Sequence, residues 1–178
     1  MHRLSRRRLL TSGAFAACAT LAAPAIARLR DHEKRLEILN LHTGESLSAV
    51  IWAEGAAIPE ELERVNRVMR DHRTGEVTAI DPALLLDLHG LRDKVGSGKP
   101  YHLISGYRSA QTNARLLAST DGVAENSFHV RGQAADVRLP GTDLLRLRRA
   151  ARSMKSGGVG YYPLSDFLHL DTGPLRFW

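Results

Sequence analysis

Apolar residues along this chain recur with two periods. Leu36, Ile38 and Leu41 form one short run and Leu47 to Trp52 another, on either side of Thr43-Gly44-Glu45. The pair reads as a β-hairpin. Leu62, Val65, Val68 and Met69 then recur at helical spacing behind Pro59, with Glu60 and Glu61 in the first turn, where acids complement the helix dipole. Asp81-Pro82 starts a second helix, with Leu84, Leu85, Leu88, Leu91 and Val95 as its apolar face and Gly96-Ser97-Gly98 as its stop. Tyr101 to Ile104 is a short strand, and Ser109 caps a helix through Asn113 and Leu117. A polar loop over 119–126 leads to a strand from Ala134 to Leu139. Thr142-Asp143 begins another helix, with Leu144, Leu145, Leu147 and Ala151 expected inward and Arg146, Arg148, Arg149 and Arg152 mostly outward. A glycine-bounded strand over 157–162 turns at Pro163 and returns through Phe167 to Leu170. Leu175, Phe177 and Trp178 in the tail are expected to dock on the body. The alternation predicts an α+β domain: a small, mainly antiparallel sheet with helices packed largely on one side.

The first 27 residues break this pattern. Ser5-Arg6-Arg7-Arg8 leads into an apolar stretch from Ala14 to Ala23, and Pro24-Ala25-Ile26-Ala27 offers a small-x-small cleavage site. This order predicts a secretory signal, and the arginine pair favours the twin-arginine route. The expected mature protein is then residues 28–178, exported to the periplasm and without a stable membrane span. The signal removes four arginines and no acid, leaving +2 of the chain's net charge of +6. A nucleic-acid partner thereby loses its electrostatic support. The only cysteine, Cys18, lies in the signal. The mature chain therefore has no thiol for a disulfide, a cysteine nucleophile or a cysteine-ligated zinc.

The chemistry concentrates in Ser-Phe-His-Val-Arg-Gly-Gln-Ala-Ala-Asp, residues 127–136. His129 and Asp136 are candidate metal ligands, and a turn at Arg131-Gly132 would let both reach one point. His169, in a second strand-like run, is the cleanest third ligand. Two histidines and one carboxylate leave a coordination position open, as catalytic zinc sites require.

Together, Ser105-Gly106-Tyr107-Arg108, Ser127-Phe128-His129, Gly132 to Asp136 and Asp166 to Asp171 resemble the zinc peptidases of the D-Ala-D-Ala carboxypeptidase and VanX type. That family carries SxHxxGxAxD followed by a later zinc histidine. His42-Thr43-Gly44-Glu45, the SGYRS and GGVGYYP segments and the HLDTGP ending resemble its YcbK-type branch of periplasmic murein endopeptidases. The likeness covers nearly the whole chain beyond the signal. It implies one Zn²⁺ on His129, Asp136 and His169. It also implies that Arg108 holds and polarises substrate, with Ser127 and Tyr107 as further substrate contacts. VanX-like relatives place a Glu base three residues before the last histidine, and here that position is Asp166, one methylene shorter. Another branch uses a histidine where this chain has Phe167. Asp166 is thus the first candidate base and Asp171 the second, unless Asp171 orients His169. Gly157, Gly158 and Gly160 serve either close substrate approach or turn geometry.

The implied activity is hydrolysis of peptidoglycan peptide cross-links by a monomer. Links of the 3-3 type, between diaminopimelate residues, are expected to be preferred, with 4-3 links second. The rivals are a D,D- or L,D-carboxypeptidase acting on stem peptides and a non-catalytic module that binds cell wall.

Overall fold

The computed structural model describes residues 33–119 and 124–178. The expected export signal and Cys18 lie outside the described residues. Eight strands form one sheet: β1 Lys34–Asn40, β2 Ser46–Ala53, β3 Ala56–Ala57, β4 Tyr101–Ser105, β5 Ala134–Arg138, β6 Gly158–Tyr162, β7 Phe167–Asp171 and β8 Arg176–Phe177. Four α-helices accompany them among the described residues: α1 Pro59–Val68, α2 Pro82–Lys94, α3 Ala110–Ser119 and α4 Leu144–Met154. No helix among the described residues is long and apolar enough to cross a membrane.

The strand order is β3-β2-β1-β4-β5-β7-β6-β8. Pairings β1–β2, β2–β3, β4–β5, β5–β7 and β6–β7 are antiparallel. Pairings β1–β4 and β6–β8 are parallel. Parallel neighbours need a long crossover, and α1 and α2 supply it between β1 and β4. The two-residue strands β3 and β8 are too short for any periodicity to announce.

One apolar cluster holds the domain together. Leu36 and Ile38 of β1, Tyr101 and Leu103 of β4, Ala135 and Val137 of β5, and Leu168 and Leu170 of β7 all point into it. Val65 and Val68 of α1, the leucines of α2, and Leu147 and Ala151 of α4 complete it. Since side chains alternate along a strand, Asp136, His169 and Asp171 lie on the opposite face from this cluster. Leu145, expected inward, is 41% exposed. The buried stripe of α4 follows Leu147 and Ala151, and adjacent Leu144 and Leu145 are too far apart around the helix for both to share it.

Candidate metal centre

Three elements bring the predicted ligands together. Asp136 and His169 are directly opposite each other in the β5–β7 ladder. A register shift between Leu103 and Ser105 precedes the pairing of Ser105 with Asp136, a bulge of the kind that re-aims side chains beside sites. His129 sits on a 3₁₀ turn, Phe128–Arg131, which is capped by Ser127 through His129 N–H donating to Oγ at 3.3 Å. Gly132 ends the turn at φ 69°. A Cβ there would also collide with the carbonyl oxygen of Ala79, so glycine is required twice over.

His169 Nδ1 lies 2.9 Å from Asp136 Oδ1, His129 Nε2 lies 3.3 Å from Asp136 Oδ2, and the two imidazole nitrogens are 3.2 Å apart. Three donors at zinc-ligand distances around a tetrahedral centre would be separated by about 3.3 Å, so the set fits this metal. The outer nitrogens fit it as well. His129 Nδ1–H donates to the carbonyl of Gly106 at 2.7 Å, and His169 Nε2–H donates to Asp171 at 2.9 Å. Both imidazoles are thereby held with their remaining nitrogen facing the cluster.

Electrostatics report the same crowding. Burial would raise the Asp136 carboxyl, but the adjacent His129 and His169 rings outweigh burial and hold it well below the usual carboxylate range. Burial would lower His169, yet hydrogen bonds to Asp136 and Asp171 push it up to about 9. Protein without metal thus keeps a proton where a cation fits.

Arg108 enters from the loop after β4. Its guanidinium lies 3.9 Å from Asp136 and donates to Asn113 Oδ1 at 3.3 Å. Asn113 in turn donates to the carbonyls of Ala124 and Glu125. Buried Asp71 anchors this loop by accepting from Ser109 N–H and Oγ–H at 2.9 and 2.7 Å. Burial alone would raise Asp71, but the hydrogen bonds it accepts keep its carboxyl well below the ordinary range.

The cluster opens into a cavity of about 760 Å³, whose lining includes Arg108, Ser127, His129, Asp136 and His169. Tyr107 and Asp166, both expected there, do not line it. Tyr107 packs against the core and donates its N–H to Met69 O at 2.7 Å. Asp166 occupies a turn at φ 53° just before β7, and its carboxylate pairs with Arg138. Asp171 is fully buried and held by His169, by Arg176 at 2.7 Å and by the N–H of Gly173 at 2.8 Å. A carboxylate so engaged braces His169.

Trp178 lines the cavity 5.4 Å from the His169 ring and donates its indole N–H to Tyr162 Oη at 2.9 Å. The strand glycines make room for this arrangement. A Cβ on Gly157 or Gly158 would collide with Asp171, and one on Gly160 would sit 2.7 Å from the Trp178 ring. Their smallness therefore serves packing inside the protein, a use beyond the two expected for them.

The profile of the family described as Peptidoglycan L,D-endopeptidase MepK matches residues 29–178. Peptidoglycan L,D-endopeptidase MepK of Escherichia coli (strain K12) is 47% identical over 176 residues, covering 98% of this chain and 97% of that protein. A probable peptidoglycan L,D-endopeptidase MepK from Haemophilus influenzae is 40% identical over 144 residues, covering 80% and 77%. The zinc D-Ala-D-Ala carboxypeptidase of Streptomyces albus G is 32% identical over 123 residues, covering 66% of this chain and 46% of its own. With its His-Asp-His cluster and a profile match along the whole described fold, the chain belongs to the peptidoglycan L,D-endopeptidase MepK family of metallopeptidases.

Proposed function

We propose that this chain is a zinc-dependent murein endopeptidase of the periplasm. In this reading residues 1–27 are a twin-arginine signal and residues 28–178 a monomeric peptidase domain carrying one Zn²⁺. The substrate is a peptidoglycan peptide cross-link, with 3-3 diaminopimelate links preferred over 4-3 links. The observation that carries it is the convergence of His129, Asp136 and His169, with Arg108 beside them, on one cavity.

His129, Asp136 and His169 hold the metal. Zinc so bound supplies Lewis acidity to a carbonyl oxygen and lowers the pKa of water. Arg108, fixed by Asn113, donates from a rigid planar fork to the scissile carbonyl oxygen, where negative charge develops. Asp171 holds the His169 ring through Nε2–H and keeps its other nitrogen on the metal side. Ser127 fixes the turn carrying His129, and its place in the cavity lining gives it a second use against the substrate backbone. In this reading Asp171 acts through His169, and Asp166, outside the cavity lining and paired with Arg138, is not assigned the proton transfer first expected of it.

The test is digestion of separated 3-3 and 4-3 dimeric muropeptides and of monomers by the zinc-loaded protein, read by mass spectrometry. His129→Ala and chelator serve as controls. Dimers cut to monomers, and uncut in both controls, support the endopeptidase. Trimmed monomers beside intact dimers would replace it with a carboxypeptidase. A folded, zinc-loaded protein inert on all three would be a wall-binding module.

A further inference from the structure

The cavity around the candidate metal centre is lined by more cationic than acidic side chains, and its three arginines are not equivalent. Arg108, Arg131 and Arg176 line it, whereas Asp136 is its only acidic lining residue among the described residues. Arg176 is neutralised by Asp171 through contacts of 2.7 and 3.1 Å. Arg108 is tied to Asn113 and lies near Asp136. Arg131 has no carboxylate within 4 Å among the described residues; its guanidinium rests on the Phe128 ring, 4.2 Å from the centroid.

That resting place is built. Phe128 is wedged against Gly173, where a Cβ would collide with the ring, and Arg176 also stacks on Phe128 at 4.8 Å. Arg131 stands two residues beyond His129 on the same 3₁₀ turn, immediately before the left-handed Gly132. The turn that carries a candidate metal ligand thus also carries a positioned cation whose donors meet no carboxylate among the described residues. A guanidinium stacked on an aromatic face keeps its in-plane N–H groups for a ligand and loses little freedom on binding one.

We infer that Arg131 is a specificity-determining residue that receives the carboxylate beside the scissile nitrogen. The inference rests on the endopeptidase reading. In both 3-3 and 4-3 links the amine side is a diaminopimelate residue, and the carbon bearing the scissile nitrogen also bears a carboxyl group. That carboxylate travels with the reacting bond, so its receptor must face the cavity that holds the ligand cluster, and Arg131 lines that cavity together with His129, Asp136 and His169. Arg108 is thereby left for the carbonyl, and the two arginines divide the two oxygen-bearing groups of the link.

The experiment compares synthetic cross-linked dimers whose amine-side carboxyl is either free or amidated, using the zinc-loaded full mature chain. The wild-type protein should prefer the free form by about 10- to 100-fold in kcat/KM, mostly through KM, as expected for a lost charge-assisted hydrogen-bond pair. Arg131→Gln should lose that factor on the free form only, so that the preference disappears. Arg131→Lys should retain part of it. An Arg131→Gln protein of unchanged melting temperature and zinc content that keeps the preference, or weakens on both dimers equally, overturns the inference. The wild-type comparison needs no variant. Equal cleavage of both dimers overturns the role of Arg131 and leaves the endopeptidase standing, whereas cleavage of neither overturns both.

Discussion

Asp136 and His169 face each other across the β5–β7 ladder, Oδ1 to Nδ1 at 2.9 Å, and the remaining nitrogen of His169 is 2.9 Å from Asp171. One imidazole is therefore clamped between two carboxylates. A metal held here would take Asp136 and His169 as co-ligands and leave Asp171 as the brace. Without metal, the same geometry holds a proton.

The metal-free protein should show opposite pH trends in stability and in zinc affinity. The folded-state pKa of His169 is raised from 6.5 to about 9, so its protonated form stabilises the metal-free fold. That contribution is complete below pH 6.5 and disappears as pH rises through about 9. Melting temperature of the metal-free chain should fall over this window. Zinc requires the neutral ring, so apparent affinity should climb over the same window, by up to about tenfold per pH unit. Calorimetry at several pH values checks both. A zinc affinity that does not change with pH would contradict the clamp.

His129→Ala should abolish stoichiometric zinc binding and remove the rise in melting temperature that zinc gives the wild-type chain. Metal analysis after dialysis, with and without chelator, reads the result. Retained one-to-one zinc would exclude His129 as a ligand.

Asp171→Asn should keep the fold and weaken zinc binding by about 10- to 100-fold, the usual cost of losing a partner behind a metal-bound histidine. Competition with a chromogenic chelator measures it. A variant with normal zinc affinity but negligible turnover would instead make Asp171 the proton acceptor.

Asp166→Asn removes an ion pair whose partners are 57% and 38% exposed. Its effect on stability should stay within about 1 kcal/mol. Turnover should change by no more than a few-fold; a loss of about 100-fold or more, the scale of general-base catalysis, would return Asp166 to that role.

Gly160→Ala drives a methyl group into the Trp178 ring. Destabilisation of about 1–3 kcal/mol is expected, with a change in the fluorescence of that indole. Thermal melts and emission spectra test whether the glycine is there for Trp178.

Much of the site was legible because its ligands sit in short, punctuated segments. His129 and Asp136 flank a glycine that must take a left-handed turn, and His169 lies in a run that alternates like a strand. The brace and the cavity walls were harder to read. Nothing local in Asp71 says that it will anchor the Arg108 loop from 38 residues away, or in Arg131 that it will settle on Phe128 and line the cavity. Asp166 was singled out by its match to the base of VanX-like relatives, but it occupies a turn at φ 53° and pairs with Arg138.

By itself the sequence determined what is periodic or covalently local: the apolar stripes of α1 and α2, the hairpin, the glycine turn and the residue types capable of holding a metal. Those depend on neighbours within a few residues. Only the tertiary structure decided which groups meet, because strand order and register are set by burial across the whole sheet. The pairing of β5 with β7 puts Asp136 against His169, and the two-residue strand β8 brings Trp178 and Arg176 to the same cavity. Which carboxylate braces the metal histidine is a matter of register between distant segments, and no local pattern in the chain encodes it.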